Sequence, residues 1–201
     1  MKNAPELRKR FSIVGTPTVL VCKPGGEEID RTMGFRRTGE FIPTIENYEK
    51  GIGTLAALLA EEKSKSGDPQ FLYRLAGSLQ AHFRLDEADA RFAAIVASDP
   101  ENKSGRADSA VLDIAWDLRK REDWTGAAAK CRELVQRWPT SDLADDASVS
   151  AGWYAGQGGM KDDAIAAYRE YLEKWPKGED STFAREQIVE LQKPPEADSE
   201  Q

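Results

Sequence analysis

Cys22, Cys131 and His82 are the residues best suited to nucleophilic, redox or metal chemistry in this chain, and their spacing favours none of these. The two cysteines lie far apart, form no Cys-x-x-Cys pair and fit no zinc-ligand spacing. No disulfide between them follows from the sequence, and each reads as a small buried hydrophobe. His82 is the one histidine, with no carboxylate or cysteine pattern around it, and reads as a surface residue on a helix. No Gly-x-Ser-x-Gly, His-Glu-x-x-His or phosphate-loop signature occurs, so hydrolase and nucleotide chemistry lack carriers. The expectation is a chain with no catalytic residue, no metal and no cofactor.

Composition narrows the partner instead. The 201 residues are enough for one large or two small domains, 40% are apolar, and 31% are charged. Lys and Arg total 28 against 35 for Asp and Glu, a net charge of -7, which argues against nucleic acid, whose binders concentrate basic residues. No run approaches the roughly 18 apolar residues of a membrane span. The segment from Met1 to Arg10 has charges but no following apolar run, so it does not read as a secretory signal. Read literally, the chain is cytoplasmic.

The elements that must present a binding surface repeat. Pro100, Pro139 and Pro176 are spaced by 39 and then 37 residues, and Ala88, Ala127 and Ala164 keep the same spacing. Phe92, Cys131 and Tyr168 follow those alanines in register, and Ala76, Ala115 and Gly152 precede them. Small residues on both members of a helix pair permit the roughly 8–10 Å axial separation of close packing. Polar turns are expected at Arg84-Leu85-Asp86, Arg121-Glu122-Asp123 and Gly158–Asp162, with longer connections at Glu101–Ala107 and Thr140–Ala144. Each closing proline pushes its predecessor out of the α region and stops the second helix. A last helix, about Ser181 to Leu191, caps the stack with Phe183, Ile188 and Leu191 turned inward.

This pattern resembles the tetratricopeptide repeat family, whose standard repeat is shorter, and the stretch Trp138 to Ala147 is similar to bacterial envelope-associated repeat proteins of this kind. The resemblance implies a helical-hairpin solenoid over 69–192 whose concave groove is lined by the first helix of each pair. Trp116 and Trp153 occupy equivalent places 37 apart, with Tyr73, Leu112 and Val149 on the same face and Arg119 beyond Trp116. Two readings stand for the tryptophans: hot spots in a groove for a partner protein or peptide, or packing between adjacent repeats. Trp138 and Trp175 read as core.

The first fifty residues read differently. A helix from Pro5 to Phe11 precedes a strand at Thr18–Cys22, a turn at Lys23–Gly26, a return strand at Glu28–Thr32, and a helix at Gly39–Tyr48. On that helix Phe41, Ile42, Ile45 and Tyr48 share a face. The order, with Gly15-Thr16-Pro17-Thr18 before the first strand, resembles the C-terminal half of a thioredoxin-like domain. The resemblance implies that Thr16 and Pro17 form the cis-proline loop that binds a substrate backbone. The family's Cys-x-x-Cys is absent, so no thiolate is available for disulfide exchange. Three accounts stay open: an N-terminally truncated copy of a longer protein, a degenerate domain whose open sheet edge permits self-association, and a chance likeness.

Gly51-Ile52-Gly53 then interrupts, Thr54 caps a helix to about Lys63, and 64–68 read as a linker. The expected division is 1–50 for the thioredoxin-like segment, 51–68 for helix and linker, 69–192 for the repeats and 193–201 for a disordered tail. The expected fold is mainly α, with an antiparallel hairpin near the start. The expected function is a protein-interaction scaffold without catalysis. The alternative is a fragment of a thioredoxin-family disulfide oxidoreductase whose Cys-x-x-Cys lies upstream, in which case the compartment becomes the periplasm.

Overall fold

The computed structural model describes residues 4–13, 15–34 and 37–193, so the tail expected from Pro194 onward lies outside the described residues. Two compact units divide the chain between Ser98 and Asp99.

The first unit runs α1 (Ala4–Arg10), β1 (Thr18–Cys22), β2 (Glu28–Met33), α2 (Thr38–Glu49), α3 (Leu55–Lys65), α4 (Pro69–Ala81) and α5 (Leu85–Ser98). The strands pair antiparallel with Thr18 opposite Met33 and Val21 opposite Asp30. Gly26 closes their turn at φ +81, a conformation that only glycine adopts without strain. The Thr16–Pro17 peptide is cis. Thr54 accepts the Ala57 N–H at 3.3 Å and caps α3, as its hydroxyl predicts.

Asp30 joins the hairpin to the helices. Its side chain is only 1% exposed, and it accepts the N–H of Arg31 at 2.6 Å and that of Leu55 at the start of α3. His82, which closes α4, stands 3.3 Å away through Nε2, while its Nδ1 lies 2.8 Å from the Ser78 carbonyl. The surface role expected of His82 is therefore corrected: it is half-buried between α4 and a carboxylate 52 residues upstream. These bonds, with α3 and β2 both packed on α4, carry the unit across the boundaries expected at 51 and 69.

In the α4–α5 pair, Ala76 and Ala88 are fully buried together with Phe71, Leu75, Leu79, Phe92 and Ile95. Each large apolar side chain withdrawn in this way contributes about 1.5–3 kcal/mol. The turn expected at Arg84–Asp86 lies two residues earlier, at 82–84, because Leu85 is buried and opens α5, while Phe83 takes the left-handed conformation at φ 58. On α2, Tyr48 is buried and Phe41 and Ile45 are half-buried, but Ile42 is 53% exposed and leaves the expected face.

The second unit contains α6 (Ala107–Lys120), α7 (Trp124–Arg137), α8 (Ala144–Gln157), α9 (Lys161–Lys174) and α10 (Ser181–Gln192), each packed on the next. Ala115, Ala127, Gly152 and Ala164 are all buried where helices meet. A Cβ at Gly152 would lie 2.8 Å from two ring carbons of Tyr168, so glycine there sets how closely α8 and α9 approach. Both α7 and α9 stop two residues before their prolines, at Arg137 and Lys174. Trp138 is buried and donates from Nε1 to the Pro100 carbonyl at 3.1 Å, both within the second unit. Trp175 is only half-buried, stacked on Tyr171 with centroids 5.7 Å apart. On α10 the fully buried residue is Ala184. Phe183 stays at the rim, edge-on to Tyr168 at 6.1 Å.

Long connections are held by side chains acting on backbone. Asp99 accepts the N–H groups of Lys103 and Ser104 at 2.8 and 2.7 Å, and Asn102 accepts that of Ala107 at 2.8 Å, where α6 begins. Asp108 accepts the Ser141 hydroxyl at 2.6 Å, linking the start of α6 to the turn before α8.

The cysteines separate. Cys131 is fully buried, and desolvation pushes its thiol up to about 12, whereas Cys22 is exposed, contrary to its expected burial. A thiolate is the reactive form. Dithionitrobenzoate at mildly alkaline pH is therefore expected to titrate one thiol in the native chain and two after denaturation. Two fast native thiols would contradict the burial of Cys131.

Candidate functional site

The sequence expectation drew six groove residues from first helices of the repeats, and the structure brings three of them into one cavity. Leu112 and Trp116 stand four apart on α6 and so share a face. Val149 comes from α8. Together with Asp113, Asp146, Ser150, Tyr154 and Asp180 they line an open cavity of about 390 Å³. The walls are thus α6, α8 and the residue preceding α10, the first members of successive helix pairs.

Trp116 is half-buried, with the Arg119 guanidinium carbon 5.8 Å and the Lys120 nitrogen 4.7 Å from its ring centroid. Contacts of this kind orient an indole by cation–π attraction. Arg119 itself does not line the cavity. Trp153 also lies outside it, edge-on to Trp124 of α7 at 6.0 Å and against Tyr154 at 5.3 Å. Trp116 thus lines the cavity, while Trp153 packs against Trp124 and Tyr154. Tyr73 belongs to the first unit, half-buried on α4 with its ring 5.6 Å from that of Phe92. Thr16 and Pro17 are exposed at the approach to β1.

Five lining residues were missed from sequence, and three of these are acidic. Asp180 is placed by its own backbone, whose N–H donates to the Tyr171 hydroxyl at 3.2 Å. Its side chain makes no capping bond to α10. Asp146, in the first turn of α8, has its carboxyl held above the ordinary range by burial first, then by the neighbouring carboxylates Asp145, Asp180 and Glu179. A helix N-terminus alone would lower an acid there, so crowding of like charge and desolvation outweigh the helix dipole. The signal for these acids was present in the pairs Asp145-Asp146 and Glu179-Asp180, each opening a first helix. Tyr154 is buried, and burial raises its phenol as well.

The cavity therefore combines an apolar wall, one indole edge and a carboxylate rim. Among the described residues no helix is long and apolar enough to cross a membrane. A search among curated proteins finds no match to the chain. Residues 146–178, from the first turn of α8 through α9 to the connection before α10, match the tetratricopeptide repeat family.

Proposed function

We propose that the chain is a protein-interaction scaffold that receives a partner segment in the cavity between α6, α8 and the start of α10. The observation that carries this reading is the convergence of Leu112, Trp116 and Val149 on one cavity built from successive first helices. Matching of the α8–α9 pair to a repeat family supports it, since stacked repeats of this kind leave a preformed concave surface. Arg119 holds the Trp116 ring, Trp153 backs the cavity through Tyr154, and Tyr73 offers an equivalent aromatic surface on the first unit's helix pair. A rigid surface lowers the ordering cost of binding.

The finer division takes 69–192 as the binding module and 1–50 as a thioredoxin-like segment without redox cysteines. Its support is the order of helix, antiparallel hairpin and helix in α1, β1, β2 and α2. In that reading Thr16 and Pro17 form an accessory peptide-binding loop. The scaffold reading is tested by placing a photoreactive benzoylphenylalanine at Ser150, inside the cavity, or at Gln136, exposed on α7. Irradiation in cell extract is expected to attach partner protein at position 150 and not at 136.

A further inference from the structure

We propose that the occupant of this cavity is a peptide segment carrying a lysine or arginine, whose cation sits between Asp146 and Asp180 while an adjacent apolar side chain lies on Leu112, Trp116 and Val149. The inference rests on the scaffold reading and adds the chemistry of the partner.

Charge complementarity selects this occupant. Of the eight lining residues three are acidic and none is basic, and the rest form the apolar and aromatic wall. Asp145 and Glu179 stand beside Asp146 and Asp180 and deepen the negative field. Arg119 and Lys120 stand at the Trp116 ring, Arg185 donates to the Ser181 and Pro176 carbonyls, and none of the three is in the lining. An acidic peptide or a nucleic acid would meet several carboxylates in a partly desolvated space, where repulsion is strong. A metal ion is not the natural counterion, because among the described residues no three carboxylate, histidine or cysteine groups are close enough to hold one. A guanidinium or ammonium on a flexible stem suits separated carboxylates, and its aliphatic stem suits the apolar wall. Crowding that raises the Asp146 carboxyl is relieved when a cation enters, so binding and ionisation of the rim support each other.

The test uses the full chain and three short fluorescein-labelled peptides, alternating leucine with lysine, glutamine or glutamate, followed by fluorescence anisotropy. The leucine–lysine peptide is expected to bind most tightly and the leucine–glutamate peptide least. The double variant Asp146→Asn, Asp180→Asn is expected to weaken the lysine peptide by about ten-fold or more, the scale of a close interfacial charge pair, and to leave the glutamine peptide unchanged. The variant Leu112→Ala is expected to weaken both peptides. Equal affinity for lysine and glutamate peptides, no binding of the lysine peptide, or indifference to the double variant would each overturn the cation. In those cases a Leu112→Ala effect on the glutamine peptide still upholds the groove, whereas affinities indifferent to Leu112→Ala remove the groove itself. A second copy is the competing occupant, since α1 ends in Arg8, Lys9 and Arg10. Self-association in sedimentation that the double variant abolishes would replace the foreign partner with this chain.

Discussion

Replacing Gly152 with leucine is expected to destabilise the second unit by about 3 kcal/mol or more, at the upper end of core overpacking. The reason is local. A Cβ at 152 already lies 2.8 Å from Tyr168 Cδ1 and Cε1 and 3.0 Å from Cζ, and Tyr168 is only 1% exposed, so its ring has nowhere to go. Relief requires α8 and α9 to separate, which uncovers Ala164 and Tyr168 together. Alanine at 152 is expected to lose less, because about 1 kcal/mol of better helix propensity offsets part of the overlap. Gly156, one turn later on the same helix, supplies the control. A Cβ there would rest 3.9 Å from Ala164 Cβ, an ordinary contact, so Gly156→Ala is expected to be neutral or stabilising by up to about 1 kcal/mol. All five tryptophans lie between residues 116 and 175, so urea unfolding followed by tryptophan fluorescence reports this unit directly. Equal midpoints for Gly152→Leu and Gly156→Ala would contradict the close helix approach.

Asp30→Ala is expected to destabilise the first unit by about 2–3 kcal/mol, because two buried N–H groups, those of Arg31 and Leu55, lose a charged acceptor. Hydrogen exchange at the start of α3 is the direct readout, and protection at Leu55 is expected to fall by a factor of about thirty or more. The loss has a pH dependence. Burial is the largest influence on Asp30 and raises its carboxyl above 3.8, while the two N–H donors and His82 oppose that rise. A group whose folded value is raised stabilises fully below its unfolded value and loses that contribution as pH climbs through the folded value. The native first unit should therefore gain stability from Asp30 on mild acidification toward 3.8, and Asp30→Asn should flatten that component. A variant with unchanged protection at Leu55 would contradict the role of Asp30 as the link between hairpin and helices.

Much of the helical architecture was legible because its physics is periodic. Ala88, Ala127 and Ala164 announce close helix contacts wherever they recur, and all three are buried. Thr54 acts through its hydroxyl on a backbone N–H three residues on, and Gly26 and the closing prolines act through their own backbones, so local sequence suffices. What escaped depended on partners distant in sequence or on side-chain direction. His82 gives no local sign of Asp30. Ile42 keeps helical register with buried residues, yet the first unit leaves it uncovered. Trp153 shares its repeat position with Trp116, but Trp124 stands beside it edge-on and draws it out of the cavity. The carboxylate rim was missed, because convergence of Asp113, Asp146 and Asp180 requires three elements to be placed in space.

The most direct measurement is the position-resolved photocrosslink, with benzoylphenylalanine at Ser150 compared with Gln136 in otherwise identical chains. The account predicts a discrete protein adduct at 150 that disappears when Leu112→Ala is added, and none at 136. Adducts of the same partner at 136 alone, or at both positions regardless of Leu112, would contradict binding through the first-helix cavity.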